Sequence, residues 1–579
     1  MEFTDQFIFL SGLLLTLSVL ATVPADRSGV PLLAVFLVIG MLAGANGPGG
    51  IDFHDVSSAH LIGTIALGVI LFDGGLHTPL SSFRTGLGPG LTLATIGVLI
   101  TTAVTACAVV SLFDVGWPGA LLLAAMISST DAAAVFYLLR ARSIEVHARV
   151  RNTLEIESGV NDPLAIFLTV ALIEWIVGRH GDAGWATMLL AFLRQMAGGA
   201  VIGALGGWLL TGLLNRLRLA RSLYPLLALG GGFLTFGAAS VLGASGFLAA
   251  YLAGLIVGNR SRMARRAIQR FHDGMAWLAQ IGLFLLLGLL VTPPDLLPAA
   301  PEALGVAAVL VFVARPLAVA VCLLPLRFPW QQVAFVSWVG LRGAVPIVLS
   351  LFPLLAGVPG SARDFNVIFF VVLLSLLLQG WTVSPVARWL GLLLPRLHPP
   401  SSRIDLDRPL DHELVVCELP ADCPATRGPI GALEPPEGVR LITVMRDGVP
   451  VPLVADVPVQ AGDVLYLLVP TADARLQERF DHWLDAVGTA HPREELAYFG
   501  EFTVDASAPM AAFAELYLGG VPWDAQEDDS VGAYVRRALR HRASEGDQIR
   551  IERVVLVVRE MDGGDITQVG VRLPKEAAT

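Results

Sequence analysis

The sequence predicts a polytopic α-helical membrane protein followed by a soluble α/β region. The first observation is composition, because 54% of the 579 residues are hydrophobic and only 15% are charged, which is typical of membrane proteins. The second is distribution, since long apolar runs fill the chain up to about residue 395 and a polar tail follows. The net charge of −10 comes mostly from that tail, and it argues against nucleic-acid binding.

The membrane region contains about thirteen apolar runs near or above the roughly 17 to 25 residues that cross a bilayer. The runs begin around Phe7, Val30, His60, Pro89, Pro118, Asn152, Ala186, Leu223, Gly246, Met275, Ala303, Gln331 and Phe365. The region from Leu223 to Gly258 can also be divided differently, and that division would change the count by one. The start MEFTDQ is acidic where a secretory signal is basic, so we expect the first helix to be retained.

The connecting loops predict how these helices are oriented. Alternate loops carry arginine clusters, the largest at residues 140–151, 216–221 and 260–270, whereas the opposite loops offer only Arg179 and Arg363. Lys and Arg collect on the cytoplasmic side of membrane proteins. The asymmetry therefore predicts an N-terminus outside and a cytoplasmic tail.

The segment ESGVNDP brings polar residues into a run that is otherwise apolar. It places Glu157, Ser158, Asn161 and Asp162 at the start of the sixth span. An ionisable side chain near the bilayer centre costs roughly 2.5 kcal/mol or more, so such residues are rare without a function. Glu157 and Asn161 are four residues apart, as are Ser158 and Asp162, so each pair shares one helix face.

These groups suit a small alkali cation. Pro163 cannot donate a backbone hydrogen bond, which frees the carbonyl of Gly159 one turn earlier. A carboxylate at Asp162, a hydroxyl at Ser158 and that carbonyl are hard oxygen ligands. His and Cys are absent from the segment, which argues against a transition metal. The alternative for Asp162 is a structural salt bridge to Arg342 or Arg315.

The fifth and twelfth spans contain SSTDAAA and GLRGAVP, which interrupt apolar helices with polar and helix-breaking residues. Interrupted helices whose ends face a central site are typical of secondary transporters. The two spans are seven apart, so they cross the membrane in opposite directions, as an inverted repeat requires. The alternative role for Asp131, in the first segment, is that of a helix cap. The alternative for Asp73, in the third span, is a polar residue near the membrane interface.

The segments SSTDAAAVF, ESGVNDP and GLRGA together resemble those of the monovalent cation:proton antiporters of the NhaP and eukaryotic sodium/proton exchanger type. The resemblance covers nearly the whole membrane region. It implies an inverted-repeat sodium/proton-antiporter fold of thirteen helices, in which two broken helices cross in a core domain. It also implies a homodimer in the lipids of a bacterial inner membrane, with the tail in the cytoplasm.

The resemblance assigns a role to each polar residue of the spans. Asp162 resembles the carboxylate that alternately holds a proton or an alkali cation, with Ser158 and Thr130 as further ligands, and Asp131 lies where the crossing helix ends need compensation. Asp73 stands where many members have a Glu. The residues that resemble the family's structural polar bridge are Glu157, Asn161, Arg342 and Arg315, and the sequence leaves open which arginine contacts Glu157.

The residues themselves carry one mechanistic consequence. A single carboxylate that must release its proton before it binds a monovalent cation exchanges charge one for one, so we expect electroneutral transport. An Asp in place of Asn161 would allow a second titrating acid.

The tail is predicted to hold two domains. Residues 411–472 read as strands with turns at Asp447-Gly448 and Gly462-Asp463, and they resemble the RCK-C (TrkA-C) domain of potassium transport regulators. Residues 498–579 read as strand, helices and strands, and they resemble the CorC/HlyC transporter-associated domain. The order of domains resembles potassium/proton antiporters, so potassium is the first choice of ion, and the RCK-C resemblance suggests a regulatory nucleotide.

Three other functions compete with a potassium/proton antiporter. A sodium-selective proton antiporter would use the same ligands. A ligand-gated potassium channel would need a selectivity filter such as TVGYG, which does not occur. An intramembrane enzyme would need HExxH, which is absent, or GGD within a span, and GGD occurs only at residues 563–565 in the tail. We therefore expect neither an enzyme nor a resident cofactor.

Overall fold

The computed structural model describes most of residues 2–573. The positions that it does not describe are 29, 46, 114, 142–144, 179–184, 262, 395–400, 406–411, 420–422, 471–475, 477–478, 481–482, 485–486, 488–497, 501, 519–525, 527–528, 540–542, 552–553 and 563–564. Several predictions fall outside the described residues, namely those on Arg179 and on the domain limits at 395, 411, 472 and 579.

The chain divides into two compact units. The membrane unit comprises Met1–Arg142 and Ala148–Leu392, and the C-terminal unit comprises Ser143–His147 and Leu393–Thr579. A short internal segment of the chain thus groups with the tail.

The described part of the membrane unit is mainly helical. Its helices are α1 (Glu2–Ser28), α2 (Leu32–Ala43), α3 (Val56–His77), α4 (Leu80–Thr92), α5 (Val98–Leu112), α6 (Trp117–Met126), α7 (Ala132–Ala141), α8 (Ala148–Ile176), α9 (Trp185–Arg216), α10 (Leu223–Val241), α11 (Gly246–Arg260), α12 (Arg265–Leu289), α13 (Pro293–Val309), α14 (Arg315–Leu323), α15 (Trp330–Trp338), α16 (Ala344–Leu355) and α17 (Ser361–Trp389). Two five-residue π-helical segments, Leu93–Gly97 and Leu310–Ala314, join α4 to α5 and α13 to α14.

Within the described residues, nine helices are long and apolar enough to cross a membrane. They are Ile8–Ala25, Val56–His77, Gly86–Leu112, Ala148–Ile176, Leu190–Arg216, Leu223–Val241, Arg265–Leu289, Leu296–Leu323 and Ser361–Trp389. Three shorter apolar helices, α2, α6 and α16, accompany them. The prediction of a polytopic helical membrane protein is confirmed.

Small residues allow α3 and α11 to approach closely. A Cβ on Gly75 would overlap the carbonyl oxygen of Tyr251, and a Cβ on Gly254 would overlap that of Phe72. Glycines at helix contacts let backbones meet where larger side chains would hold them apart. This contact holds α3, which carries Asp73, directly against α11.

Within its described residues, the C-terminal unit contains three separate sheets. Its strands are β1 (Glu145–Val146), β2 (Leu393–Leu394), β3 (Ser401–Asp405), β4 (His412–Glu418), β5 (Arg440–Arg446), β6 (Val449–Val451), β7 (Val464–Pro470), β8 (Phe502–Asp505), β9 (Gln548–Ile551), β10 (Val554–Asp562) and β11 (Asp565–Arg572). The sheet orders are β1-β2, β3-β4-β7-β5-β6 and β8-β11-β10-β9. Helices α18 (Met510–Tyr517) and α19 (Val531–Ala538) accompany the last sheet.

The turns expected in the tail are present. Asp447 and Gly448, both with positive φ (53° and 79°), join β5 to β6 as a two-residue hairpin. Gly462, with φ of 81°, precedes Asp463, whose buried carboxylate pairs with Arg446 at 2.7 Å. The predicted strand pattern of both tail regions is therefore confirmed within the described residues.

Candidate ion-binding site

Two interrupted helices contact each other at their breaks. The first break, Ile127–Asp131, separates α6 from α7, and the second separates α15 from α16 at residues 339–343. The backbone N–H of Asp131 donates to the carbonyl oxygen of Leu341 at 2.8 Å. A Cβ on Gly343 would lie 2.8 Å from the Cβ of Asp131, so glycine is needed for this approach.

The helix ends at the breaks are compensated by charged side chains. The Nη1 of Arg342 donates to the carbonyl oxygens of Ser128 and Ser129 at 2.7 and 2.6 Å, where α6 has ended. The Oδ1 of Asp131 accepts from the N–H of Ala134 at 3.1 Å, at the start of α7. A cation at the C-terminal end of one helix and an anion at the N-terminal end of the next both match the helix dipole.

Helix α8 brings the residues of ESGVNDP against the first break. The Nδ2 of Asn161 donates to the Oγ1 of Thr130 at 2.7 Å, and the Oγ of Ser158 accepts from the N–H of Ala132 at 3.2 Å. These contacts join α8 to both sides of the first break, at Thr130 and at Ala132. Both hydroxyl groups keep lone pairs that a cation can use.

Asp162 lies buried beside these groups, with 7% of its surface exposed. The charge of Asp131 acts on its carboxylate, and the side chain of Ser129 hydrogen-bonds to it. Within the described residues, its Oδ1 is buried without a hydrogen-bond partner. Two buried carboxylates that face each other are stable only when a proton or a cation offsets their repulsion.

One cavity of about 330 Å³ connects the candidate ligands. All five predicted ion- or proton-binding residues line it: Asp73, Thr130, Asp131, Ser158 and Asp162. The donors are three carboxylates and two hydroxyls, which suit potassium or sodium.

Two residues that the sequence did not single out also line this cavity. His77 lies between two carboxylates, with Nδ1 3.4 Å from Asp73 Oδ1 and Nε2 3.3 Å from Asp273 Oδ1. The spacing of Asp73 and His77, four residues on one helix, is a signal that could have found the first pair. Asp273 lies far along the chain on α12, and no local pattern links it to them.

A buried ion pair supports the site from behind. Arg315 donates to Glu157 through both Nη atoms, and the Nη2 to Oε2 distance is 2.9 Å. Both side chains are almost completely buried. The bridge that the sequence left open is therefore made by Arg315, while Arg342 binds the end of α6 and Asn161 binds Thr130.

The fold and this site define a class, membrane transporters whose site is built from interrupted helices. The chain belongs to the sodium/hydrogen exchanger family, because the family's transmembrane region matches residues 13–389. A transporter associated domain of the CorC/HlyC type matches residues 497–575, which confirms that resemblance.

Several known proteins are similar to this chain. The K(+)/H(+) antiporter NhaP2 of Shewanella sp. (strain ANA-3) is 41% identical over 579 residues, covering 99% of both chains. The K(+)/H(+) antiporter NhaP of Alkalimonas amylolytica is 39% identical over 577 residues, also covering 99% of both. The solved structure of the sodium proton antiporter MjNhaP1 from Methanocaldococcus jannaschii at pH 8 has a TM-score of 0.57 and 25% identity, covering 66% of this chain and 100% of that one.

Proposed function

We propose that this protein exchanges potassium for protons across a bacterial inner membrane, and that Asp162 alternately carries the two. The observation that supports this most directly is the buried Asp162 carboxylate, which is affected by the charge of Asp131 and has an oxygen without a hydrogen-bond partner among the described residues. Such a group needs either a proton or a cation. The hydroxyls of Thr130 and Ser158 complete a set of oxygen ligands.

The exchange is electroneutral in this proposal. Asp131 accepts a hydrogen bond from the N–H of Ala134 at the N-terminal end of α7, and in this proposal it keeps its charge throughout the cycle. Asn161 cannot titrate and is bound to Thr130. Asp162 is then the one group of this cluster that changes state, and one proton moves for each cation.

The proposal includes thirteen crossings arranged as an inverted repeat. Nine of these crossings are the long helices described above. The other four are α2, the pair α6 and α7, α11, and the pair α15 and α16. The two interrupted pairs are the repeat-related elements, and their contact through Asp131 and Leu341 is what crossing broken helices require. The arginine asymmetry of the loops supports an N-terminus outside the cell.

In the same proposal, residues 1–395 transport the ions. Transport is regulated by two tail regions, an RCK-C-like domain at residues 411–472 and the domain at residues 498–579. A tail can favour one state of the transporter only by interacting unequally with its states. A nucleotide bound by the RCK-C-like domain is the regulatory ligand that the sequence suggests. The active form is a homodimer in membrane lipids.

Potassium is chosen over sodium because the full-length relatives are named K(+)/H(+) antiporters. Oxygen ligands alone do not separate the two ions. A channel is disfavoured because the site is a cluster of carboxylates and hydroxyls instead of a ring of carbonyls.

Proteoliposomes containing a pH-sensitive dye test this function. We expect addition of potassium to move protons without an ionophore, and we expect smaller responses with sodium, rubidium and lithium. A requirement for a charge-compensating ionophore would indicate a channel or an electrogenic carrier, and a larger response to sodium would reverse the choice of ion.

A further inference from the structure

The segment Glu145–His147 belongs to the C-terminal unit although it lies between two helices of the membrane unit in the chain. Its strand β1 pairs antiparallel with β2, Glu145 opposite Leu394 and Val146 opposite Leu393. His147 follows β1, and the next residue, Ala148, begins α8. The segment is thus joined directly to the helix that carries Asp162.

His147 is held inside the C-terminal unit by Tyr498. Its side chain is buried, and its Nε2 lies 3.1 Å from the Tyr498 hydroxyl. That hydroxyl donates its own proton to the carbonyl oxygen of Gly546 at 3.1 Å. The arrangement that satisfies both bonds has the hydroxyl accept from His147, with the hydrogen on Nε2.

The other ring nitrogen of His147 faces a closely packed loop. Nδ1 is buried without a hydrogen-bond partner among the described residues. Gly546 has φ of 89°, and a Cβ placed on it would lie 2.9 Å from Nδ1 and 2.6 Å from Leu394 Cδ2. The Asp547 carboxylate fixes this loop by accepting from the N–H of Ser544 at 2.8 Å. A proton on Nδ1 would therefore be buried without an acceptor, which is costly.

Among the described residues, two charged groups act on His147 or on its partner Tyr498. Asp547 acts on His147 and, with Arg572, on Tyr498. Burial raises the pKa of Tyr498 to about 12, so its hydroxyl stays protonated in the cell. Arg149, two residues into α8, has its guanidinium 3.7 Å over the ring of Phe328.

Burial lowers the pKa of His147 below its usual range, and the carboxylate of Asp547 partly opposes this. A histidine whose pKa is lower in the docked state favours docking in its neutral form. Docking is therefore strongest above the pKa of the released histidine, about 6.5. It weakens as the pH falls through that value towards the lower pKa of the docked state.

We propose that the His147–Tyr498 contact is a proton-sensitive latch through which the C-terminal unit holds the segment that leads into α8. Neutral His147 keeps the segment docked, and acidification of the cytoplasm releases it and changes the rate of exchange. The link to exchange rests on the proposed antiport function, whereas the docking itself does not.

Hydrogen–deuterium exchange of the full-length protein in nanodiscs tests the docking. After correction for intrinsic exchange, we expect the peptide covering Glu145–His147 to open more at pH 6 than at pH 8. With a released-state pKa of about 6.5, the increase should approach about fourfold over this pH interval, because only the released histidine gains a proton there. His147→Gln keeps a donor for Tyr498 but cannot gain a proton, so its opening should not depend on pH.

Tyr498→Phe removes the acceptor and should raise opening at both pH values, whereas Tyr517→Phe, on α18 of the same unit, is the matched control and should behave as the parent. A parent without pH-dependent opening, or a His147→Gln variant that retains it, would overturn the latch.

Exchange of potassium for protons is measured on the same proteins in proteoliposomes. An inactive parent would refute the antiport function and leave the docking result standing. An identical pH profile of exchange in parent and His147→Gln would refute the link to transport.

Discussion

The ionisable side chains around the helix breaks differ in whether their charge has a fixed partner. Glu157 is paired with Arg315, Arg342 is held by two carbonyl oxygens, and Asp131 accepts from the N–H of Ala134. Asp162 has no such fixed partner on Oδ1 within the described residues. This difference separates the supporting charges from Asp162, which we propose to carry the proton and the cation.

Asp162→Asn should abolish potassium-driven proton movement while leaving the protein folded. The amide keeps the shape of the carboxylate but can neither release a proton nor balance a cation. Asp52→Asn, at an exposed position, is the control and should leave exchange unchanged. Dye-reported exchange in proteoliposomes measures both, and robust exchange by the Asp162 variant would remove this residue from its proposed role.

Glu157→Gln should destabilise the protein strongly. Removing one partner of a buried ion pair leaves the charge of Arg315 uncompensated, which typically costs about 3 to 5 kcal/mol. Glu302→Gln breaks a similar pair with Arg363 that is partly exposed, and such pairs contribute about 0 to 1 kcal/mol. Thermal unfolding in detergent should therefore show a much larger drop in midpoint for Glu157→Gln. Equal midpoints would show that the pair does not stabilise the site.

The helix breaks could be predicted from the sequence because their cause is local. SSTDAAA and GLRGAVP place polar residues and glycine within apolar runs, and the structure interrupts the helices there. The partner of Glu157 could not be predicted, because Arg315 and Arg342 both follow apolar runs and only packing distinguishes them. The grouping of His77 with Asp273 and the pairing of β1 with β2 also depend on contacts between distant parts of the chain.

Gly75→Ala should destabilise the contact between α3 and α11. The added methyl group would overlap the carbonyl oxygen of Tyr251, and overpacking of this kind costs about 1 to 3 kcal/mol. Gly74→Ala is the matched control, since its Cβ would meet no atom within 4 Å and alanine favours the helix. The midpoint of thermal unfolding should be lower for Gly75→Ala than for the parent, and for Gly74→Ala it should equal or slightly exceed that of the parent. The opposite order would mean that the two helices do not approach closely here.

For the whole molecule, composition predicts a change of character near residue 395, and the two units divide after Leu392. The sequence did not predict that residues 143–147 group with the tail. Those few residues carry no compositional signal, because their place is decided by pairing with β2 and by the pocket around His147.

Truncation after about residue 400 should leave an exchanger with an altered dependence on pH or cation concentration. The buried residues proposed to exchange a proton for a cation all precede residue 345, and the deleted part contains no candidate span within its described residues. Exchange by the truncated protein in proteoliposomes measures this, with size-exclusion chromatography as the control for folding and dimerisation. Loss of all exchange in a folded dimer would show that the tail is required for transport itself.

The central claim is that a proton and a cation compete for Asp162. Titration calorimetry of the purified protein in nanodiscs, repeated in two buffers of different protonation enthalpy, gives the number of protons released for each potassium ion bound. We expect release to approach about one proton per ion at a pH where the carboxyl is protonated, because the site cannot hold both. Asp162→Asn should bind weakly and release none. Potassium binding without proton release in the parent, or undiminished release in Asp162→Asn, would contradict the account.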